Sequence, residues 1–425
     1  MSRRPAFRGE IVVPGDKSIS HRAVLFAALS GGGSRVRGFL DAEDTNRTVA
    51  MMQSLGAPVE KVSPTELRIG GVGLRGLSEP SDVIDAGNSG TTIRIGSGLL
   101  AAQPFLSVIT GDPYLRRRPM ARVVRPLTLM GASIWGREGN QFPPLCIRGG
   151  ALKGIRHEMP VASAQVKSAL LLAGLYADSP VTVTEPLPTR DHTERMLSAM
   201  GASLSREGAS ITVAPADRLD PVDRVVPGDI SSAAFFLVLA AAAPGSELVV
   251  RNVGVNPFRT GAVDVLRRMG AEILFGNERL ECGEPVADIV VRGRGLTGVR
   301  IAPEEVPGLI DEVPILCVAA ALADGRTEIR GAAELRVKES DRIGAMAANL
   351  SALGVSCGEY PDGLWVEGPS RIRGGIACGS RGDHRIAMSM LVLGKAAGSD
   401  VGVDDTACID TSFPGFRAML EGLSG

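Results

Sequence analysis

The chain has 425 residues, a formal net charge of −1, 44% hydrophobic residues and only 4% aromatic ones. That near-balance of charge excludes a protein that coats nucleic acid through a basic surface, and two Trp with three Tyr leave little material for base-stacking platforms. The length suggests roughly two or three domains, with cores that must be aliphatic and Ala-rich.

The N-terminal MSRRPAFRGEIVVPG carries early arginines but lacks the apolar stretch of a secretory signal. The longest apolar run, residues 233–243, falls short of the roughly 18 residues that suggest a membrane span. The six cysteines (Cys146, Cys282, Cys317, Cys357, Cys378 and Cys408) form no CxxC pair, and none of the four His residues stands at zinc-site spacing from them. The expectation is a reduced, cytoplasmic chain with no metal and no membrane partner.

Along the chain, a small polar or acidic opening followed by an Ala/Leu-rich run recurs about every 73 residues. It begins as GDKSISHRAVLFAALSGG from Gly15, then GNSGTTIRIGSGLLAA from Gly87 and ASAQVKSALLLAGLYAD from Ala162. It returns as GDISSAAFFLVLAAAAPG from Gly228, LIDEVPILCVAAALADG from Leu309 and GDHRIAMSMLVLGKAAG from Gly382. Between these lie helices that stop at a Gly and turn into a strand, at Gly56, Gly131, Gly201, Gly270 and Gly354. Gly after a last helical turn accepts positive φ without a Cβ clash. A sixth such helix, FRAMLEGLSG, ends the chain, so six copies of a two-helix, three- or four-stranded unit account for it. Two groups of three copies are more economical than one core, and VVPGD near residue 227 is a natural boundary.

Every opening is expected to expose a helix N-terminus, where unpaired N–H groups and the helix dipole favour phosphate or carboxylate. Asp16, Asn88, Ser163, Asp229, Asp311 and Asp383 read as N-caps. Charges sit on five of the six openings: Lys17 with Arg22, Arg94, Lys167, Asp311 with Glu312, and His384 with Arg385. Two loops add cations, DPYLRRRPM through Arg116, Arg117 and Arg118, and LRVKESDRI through Arg336, Lys338 and Arg342 beside Glu339 and Asp341. Such a concentration in a nearly neutral chain predicts small substrates rich in phosphate and carboxylate. No GxxxxGK[ST] loop or GxSxG elbow is present, and GVGLRG from Gly71 sits in a turn rather than between a strand and a helix.

With PGDKSISHR, DAGNSGTTIR, RRPM, SAQVKSALLLAGL, DEVPILCVAAA, LRVKESDRI and GDHRIAM in that order, the chain resembles the 5-enolpyruvylshikimate-3-phosphate synthase family over essentially its full length. SAQVKSA and PTRDHTERML look like the bacterial form called class II. The resemblance implies an inside-out α/β barrel fold of two similar domains, each from three βαβαββ repeats (EPT/RTPC-like). It places residues 1–20 with 228–425 in one domain and 21–227 in the other, with the active site in the cleft between. It implies transfer of the enolpyruvyl group of phosphoenolpyruvate to the 5-hydroxyl of shikimate 3-phosphate, in a monomer that needs no cofactor.

Carried over by motif, Lys17, Ser18, Arg22, Ser163, Ala164, Gln165, Asp311 and Lys338 are the residues for shikimate 3-phosphate. Lys17, Gly90, Arg118, Gln165, Arg342 and Arg385 are those for phosphoenolpyruvate. Asp311, Glu339 and Lys17 are the acid/base candidates. Six of these residues are cations, matching roughly six negative charges on the two substrates. The pattern is broken at Thr411, where many members carry Lys, and at Glu334, where some carry Asn. Gly90 is kept where a larger residue would crowd the inhibitor glyphosate. Two rivals are weighed. UDP-N-acetylglucosamine enolpyruvyl transferases use a loop Cys, but this chain has RRRPMARV there and no Cys before Cys146. A six-repeat DNA clamp is opposed by the charge balance and by Asp311 and Glu339 beside the arginines.

Overall fold

Each Ala/Leu-rich segment folds as a helix with most of its faces covered, because a helix apolar all round has no face to give to water. In the computed structural model, which describes residues 5–423, these inner helices are Lys17–Ala28, Gly90–Ala101, Ala164–Gly174, Ile230–Ala241, Val313–Leu322 and His384–Ala397. Every residue of Ile230–Ala241 and Val313–Leu322 is buried. The more polar helices between them end where the glycines predicted: Gly131 and Gly270 take φ of +111° and +103°, and the chain leaves each directly for a strand. Arg3 and Arg4 of the N-terminal stretch and the closing Ser424 and Gly425 lie outside the described residues.

The chain divides into two compact units. One runs from Gly15 to Val226 and includes Glu281–Glu284. It holds three four-stranded sheets. In the second of these, Ile84–Asp85 pairs parallel with Leu106–Thr110 across the Gly90–Ala101 helix, and the hairpin of Ser133–Gly136 and Phe142–Arg148 completes the βαβαββ order. The third sheet, built on Arg156–Glu158 and Val181–Thr184, repeats this order. The first draws its opening strand from the far end of the unit, where Arg224–Val225 pairs parallel with Gly33–Arg37.

The other unit comprises the chain to Pro14, Pro227–Leu280 and the chain from Pro285. Its first sheet also begins with a distant strand: Arg8–Val12 lies parallel to Glu247–Gly254, with Arg8 opposite Glu247 and Val12 opposite Arg251. The second sheet has four strands in the same order, around Gly325–Ile329. The third, Ile376–Cys378 with Val401–Val403, has two strands among the described residues, and the helix Phe416–Gly422 follows it. Phe235, Phe236, Phe413 and Phe416 close this end of the core, with ring centroids 5.2–6.1 Å apart.

The expected domain limits need correction. Residues 15–20 belong with 21–226, not with the N-terminal strand. The reason is mechanical: Lys17–Ser20 is the first turn of one continuous helix, and a rod cannot be shared out after its first turn. Glu281–Glu284, the tip of a hairpin, joins the same unit, held where Arg195 Nη1 donates to the Gly283 carbonyl at 2.9 Å and His192 Nδ1 lies 2.7 Å from Glu284 Oε1.

Candidate active site

Within the Gly15–Val226 unit, three helix starts are tied to one another by side chains. Asp16 caps the first, accepting from Ile19 N at 2.8 Å, and Ser163 caps the third at Val166 N. On the second, the cap is Ser89, which accepts from Thr92 N at 3.1 Å. Asn88, expected as the cap, instead donates to Asp112 Oδ2 at 2.8 Å. Arg22 joins the first and third helices: its Nη2 donates to Ser168 Oγ at 2.7 Å and its Nη1 to the Ser18 carbonyl at 2.9 Å. Arg94 joins the second and third, donating to Gln165 Oε1 at 2.8 Å, while Gln165 Nε2 donates to Thr91 Oγ1 at 3.0 Å.

Three cations therefore gather around Ser18. Lys17 pairs with Asp44 at 3.0 Å. Arg22 is buried, and burial, reinforced by the charge of Arg190, lowers its pKa to about 10. Arg190 donates to Ser18 Oγ at 2.9 Å. Two arginines thus converge on one serine, and the charge of Arg190 adds to the effect of burial on Arg22 while Glu194, Asp16 and Glu284 oppose it. The sequence reading did not single out Arg190, although its PTRDHT segment was noted. Thr193 and Ser168, which orient Arg22 through 2.7 Å hydrogen bonds, are buried and carry no signal in the sequence that distinguishes them from other hydroxyls.

Of the RRR run, Arg117 is exposed and Arg118 is buried. Arg118 reaches back to the second helix start, donating to the Asn88 carbonyl at 3.3 Å. A Cβ on Gly90 would stand 2.7 Å from Arg94 Nη1 and 2.8 Å from Arg118 Nη2, so only glycine leaves both guanidinium groups where they are. Lys167, expected as a charge on the third opening, is turned inward. Its ammonium is fully buried between Glu185 Oε2 at 3.1 Å and Glu194 Oε1 at 2.7 Å, and it donates to the Thr189 carbonyl beside Arg190.

In the other unit, Arg342 is the hub. Its Nε donates to Asp383 Oδ2 at 2.8 Å and its Nη2 to Glu339 Oε2 at 2.7 Å, while Asp311 Oδ1 lies 3.6 Å from its Nη1. Burial alone would lower the pKa of Arg342, but Asp383 and Glu339 outweigh it and raise the pKa. Burial alone would likewise raise that of Asp383; the Arg342 guanidinium reverses this and holds it below the ordinary carboxylate range. Lys338 Nζ also stands 3.6 Å from Asp311 Oδ1. Asp311 is not an N-cap: the cap position of its helix is Glu312, whose side chain makes no capping bond.

Arg385, capped into its helix by Asp383, donates through Nη1 to the Asp311 carbonyl at 2.9 Å. Among the described residues its Nε and Nη2 have no hydrogen-bond partner, and Nη1 of Arg342 is buried without one. The unit thus presents carboxylates at Asp311 and Glu339 alongside arginine N–H groups left for an anion. Thr411 lies 3.4 Å from His384 Nδ1 and donates to the Cys408 carbonyl at 2.7 Å, an uncharged side chain at the position where the family pattern is broken. Glu334 is half-buried in the short turn Ala333–Val337.

Comparison with known proteins identifies relatives of the whole chain. The family model described as EPSP synthase (3-phosphoshikimate 1-carboxyvinyltransferase) matches residues 2–420. The 3-phosphoshikimate 1-carboxyvinyltransferase of Geobacter metallireducens is 55% identical over 420 residues, covering 98% of this chain and 97% of its own. That of Geobacter sulfurreducens is 56% identical over 416 residues, covering 98% and 96%. The solved structure of EPSP synthase from Acinetobacter baumannii superposes with a TM-score of 0.88 at 45% identity, over 99% of this chain and 96% of that one. The enolpyruvyl transferase NikO of Streptomyces tendae shares the fold, with a TM-score of 0.76 at 15% identity and coverage of 99% and 95%.

Proposed function

Because this chain belongs to the EPSP synthase family, we propose that it transfers the enolpyruvyl group of phosphoenolpyruvate to the 5-hydroxyl of shikimate 3-phosphate, releasing inorganic phosphate. The observation that carries the reading is the arrangement of Gly90, Arg94, Arg118 and Gln165. Two guanidinium groups and an amide converge there, and the missing Cβ leaves the room that the guanidinium groups occupy. Such a cluster of planar donors suits a compact phosphorylated carboxylate.

In this reading Ser18, Arg22, Ser163, Ala164 and Gln165 hold shikimate 3-phosphate, and Arg190 joins them at its phosphate. The support for Arg190 is its 2.9 Å bond to Ser18 and its electrostatic pressure on Arg22, which an arriving phosphate relieves. Gly90, Arg118, Arg342 and Arg385 take phosphoenolpyruvate, with Lys17 and Gln165 touching both ligands. Asp311 and Lys338 face the ring hydroxyls.

Asp311 withdraws the proton of the 5-hydroxyl as its oxygen attacks C2 of phosphoenolpyruvate. Glu339 delivers a proton to the methylene carbon and later removes one, with Lys17 as a further acid/base. The tetrahedral intermediate then expels phosphate and the enol ether forms. Arginines fixed beforehand by Asp383 and by the Asp311 carbonyl stabilise the charge that grows on the leaving group. No helix among the described residues is long and apolar enough to cross a membrane. The six unbridged cysteines support a reducing, cytoplasmic setting.

The test is phosphate release on mixing the protein with both substrates, with mass spectrometry of the product and UDP-N-acetylglucosamine as a parallel acceptor. An enolpyruvyl ether of shikimate 3-phosphate alone is expected. Turnover of the nucleotide sugar, or none with either acceptor in folded protein, overturns the reading.

A further inference from the structure

Behind Arg385 lies a buried polar chain that the reaction as described does not use. Arg259, nearly fully buried, donates through Nη2 to Ser231 Oγ at 2.7 Å and to Asp229 Oδ1 at 3.2 Å. A guanidinium has no acceptor, so the Ser231 oxygen receives this bond and its hydroxyl proton is left to donate onward. It donates to Glu312 Oε1. The same Glu312 oxygen stands 3.8 Å from Arg385 Nη1, the nitrogen that also donates to the Asp311 carbonyl. Glu312 is 2% exposed, and burial raises its pKa while Arg259 and Arg385 act in the opposite direction.

We propose that Glu312 is a positioning residue. Clamped by Ser231 and Arg259, it fixes one edge of the Arg385 guanidinium from behind, so that Nε and Nη2 stay presented to phosphoenolpyruvate. This rests on the assignment of Arg385 to phosphoenolpyruvate. The direction of the bonding makes the case: Arg259 donates to the Ser231 oxygen, the Ser231 hydroxyl donates to Glu312, and the Glu312 carboxylate stands between that fixed hydroxyl and a substrate-facing arginine. A buried carboxylate retained merely to fill space has no need of a serine bonded to it and two arginine charges beside it. Asp229, which the sequence marks only as a cap, serves this chain as well by accepting from Arg259.

The test is steady-state kinetics of Glu312→Gln, Ser231→Ala, Arg385→Lys and the double variant Glu312→Gln/Arg385→Lys, each checked for folding by thermal melting. Glu312→Gln is expected to raise KM for phosphoenolpyruvate about tenfold while KM for shikimate 3-phosphate stays within twofold. Ser231→Ala should shift the same constant in the same direction by less. The double variant should be no worse than Arg385→Lys alone, since positioning a residue already replaced has no value. If Arg385→Lys leaves KM for phosphoenolpyruvate unchanged, the assignment of Arg385 is wrong. If it raises KM but Glu312→Gln does not, or the two effects multiply, the positioning role is refuted while the assignment stands. Should Glu312→Gln fail to fold, Ser231→Ala against Arg385→Lys decides by the same criteria.

Discussion

Replacing Gly90 with Ala perturbs the proposed phosphoenolpyruvate site by one methyl group. The new Cβ would meet Arg118 Nη2 at 2.8 Å and Cζ at 3.0 Å, and Arg94 Nη1 at 2.7 Å. Ordinary contacts begin near 3.4 Å, so both guanidinium groups must retreat by about half an ångström or more. They are the free ends of flexible side chains, so the helix itself tolerates the change, and Ala is a better helix former than Gly by up to about 1 kcal/mol. The protein should therefore melt no lower than the parent. Arg118 and Arg94 will no longer meet the substrate where they did, and a misplacement of about 1 Å can cost as much as 100-fold. KM for phosphoenolpyruvate should rise about 10- to 100-fold, KM for shikimate 3-phosphate should move by less than twofold, and inhibition by glyphosate should weaken in step. Phosphate-release assays with each substrate varied in turn measure all three. An unchanged KM for phosphoenolpyruvate, or equal rises for both substrates, would refute the argument that this glycine keeps space for two arginines.

Other outcomes follow from the same geometry. Asp311→Asn should lower kcat by about 100- to 10,000-fold, the range for loss of a general base, with KM for shikimate 3-phosphate little changed; near-parental kcat would remove Asp311 from the chemistry. Lys167→Met takes the ammonium from the half-buried Glu194 and leaves the buried Glu185 with Arg206, a loss of about 3–5 kcal/mol at most, which denaturant unfolding at neutral pH should register as an earlier midpoint. A midpoint equal to the parent's would mean that solvent reaches these carboxylates. Asp383 has a lowered pKa in the folded protein, so its contribution to stability is complete above the unfolded value of about 3.8 and is lost as pH falls through the lower folded value. Asp383→Asn should flatten that acid limb and reduce stability at pH 7; parallel unfolding-versus-pH curves for the two proteins would contradict the sign.

Much of the fold was legible because its signals are local. Gly56 through Gly354 mark helix ends by a backbone requirement that no other residue meets as cheaply, and all-apolar helices announce burial without any partner being known. The site was legible in residue type but not in allocation. Lys167 and Arg94 look alike on their helix starts, yet one is swallowed by Glu185 and Glu194 and the other reaches Gln165. Arg117 and Arg118 are adjacent and differ in burial, because Arg117 closes the short turn at Leu115–Arg117 while Arg118 follows it in extended conformation. Arg190 was missed because its role depends on Ser18, 172 residues away in sequence. The shift of the cap from Asn88 to Ser89 is a one-residue question that either side chain satisfies equally well on paper.

The strand Arg8–Val12 carries a consequence for how the chain is made. Its partner begins at Glu247, and Phe7 N donates to Ser246 Oγ across 239 residues. During synthesis these first residues leave the ribosome long before anything exists for them to pair with. The Gly15–Val226 unit, by contrast, has its whole sheet complement once Val225 has emerged, so it can reach its folded form while the opening strand trails unpaired. That strand exposes the edge of a future sheet for the time needed to add some 240 residues, about 12–48 s at roughly 5–20 residues per second.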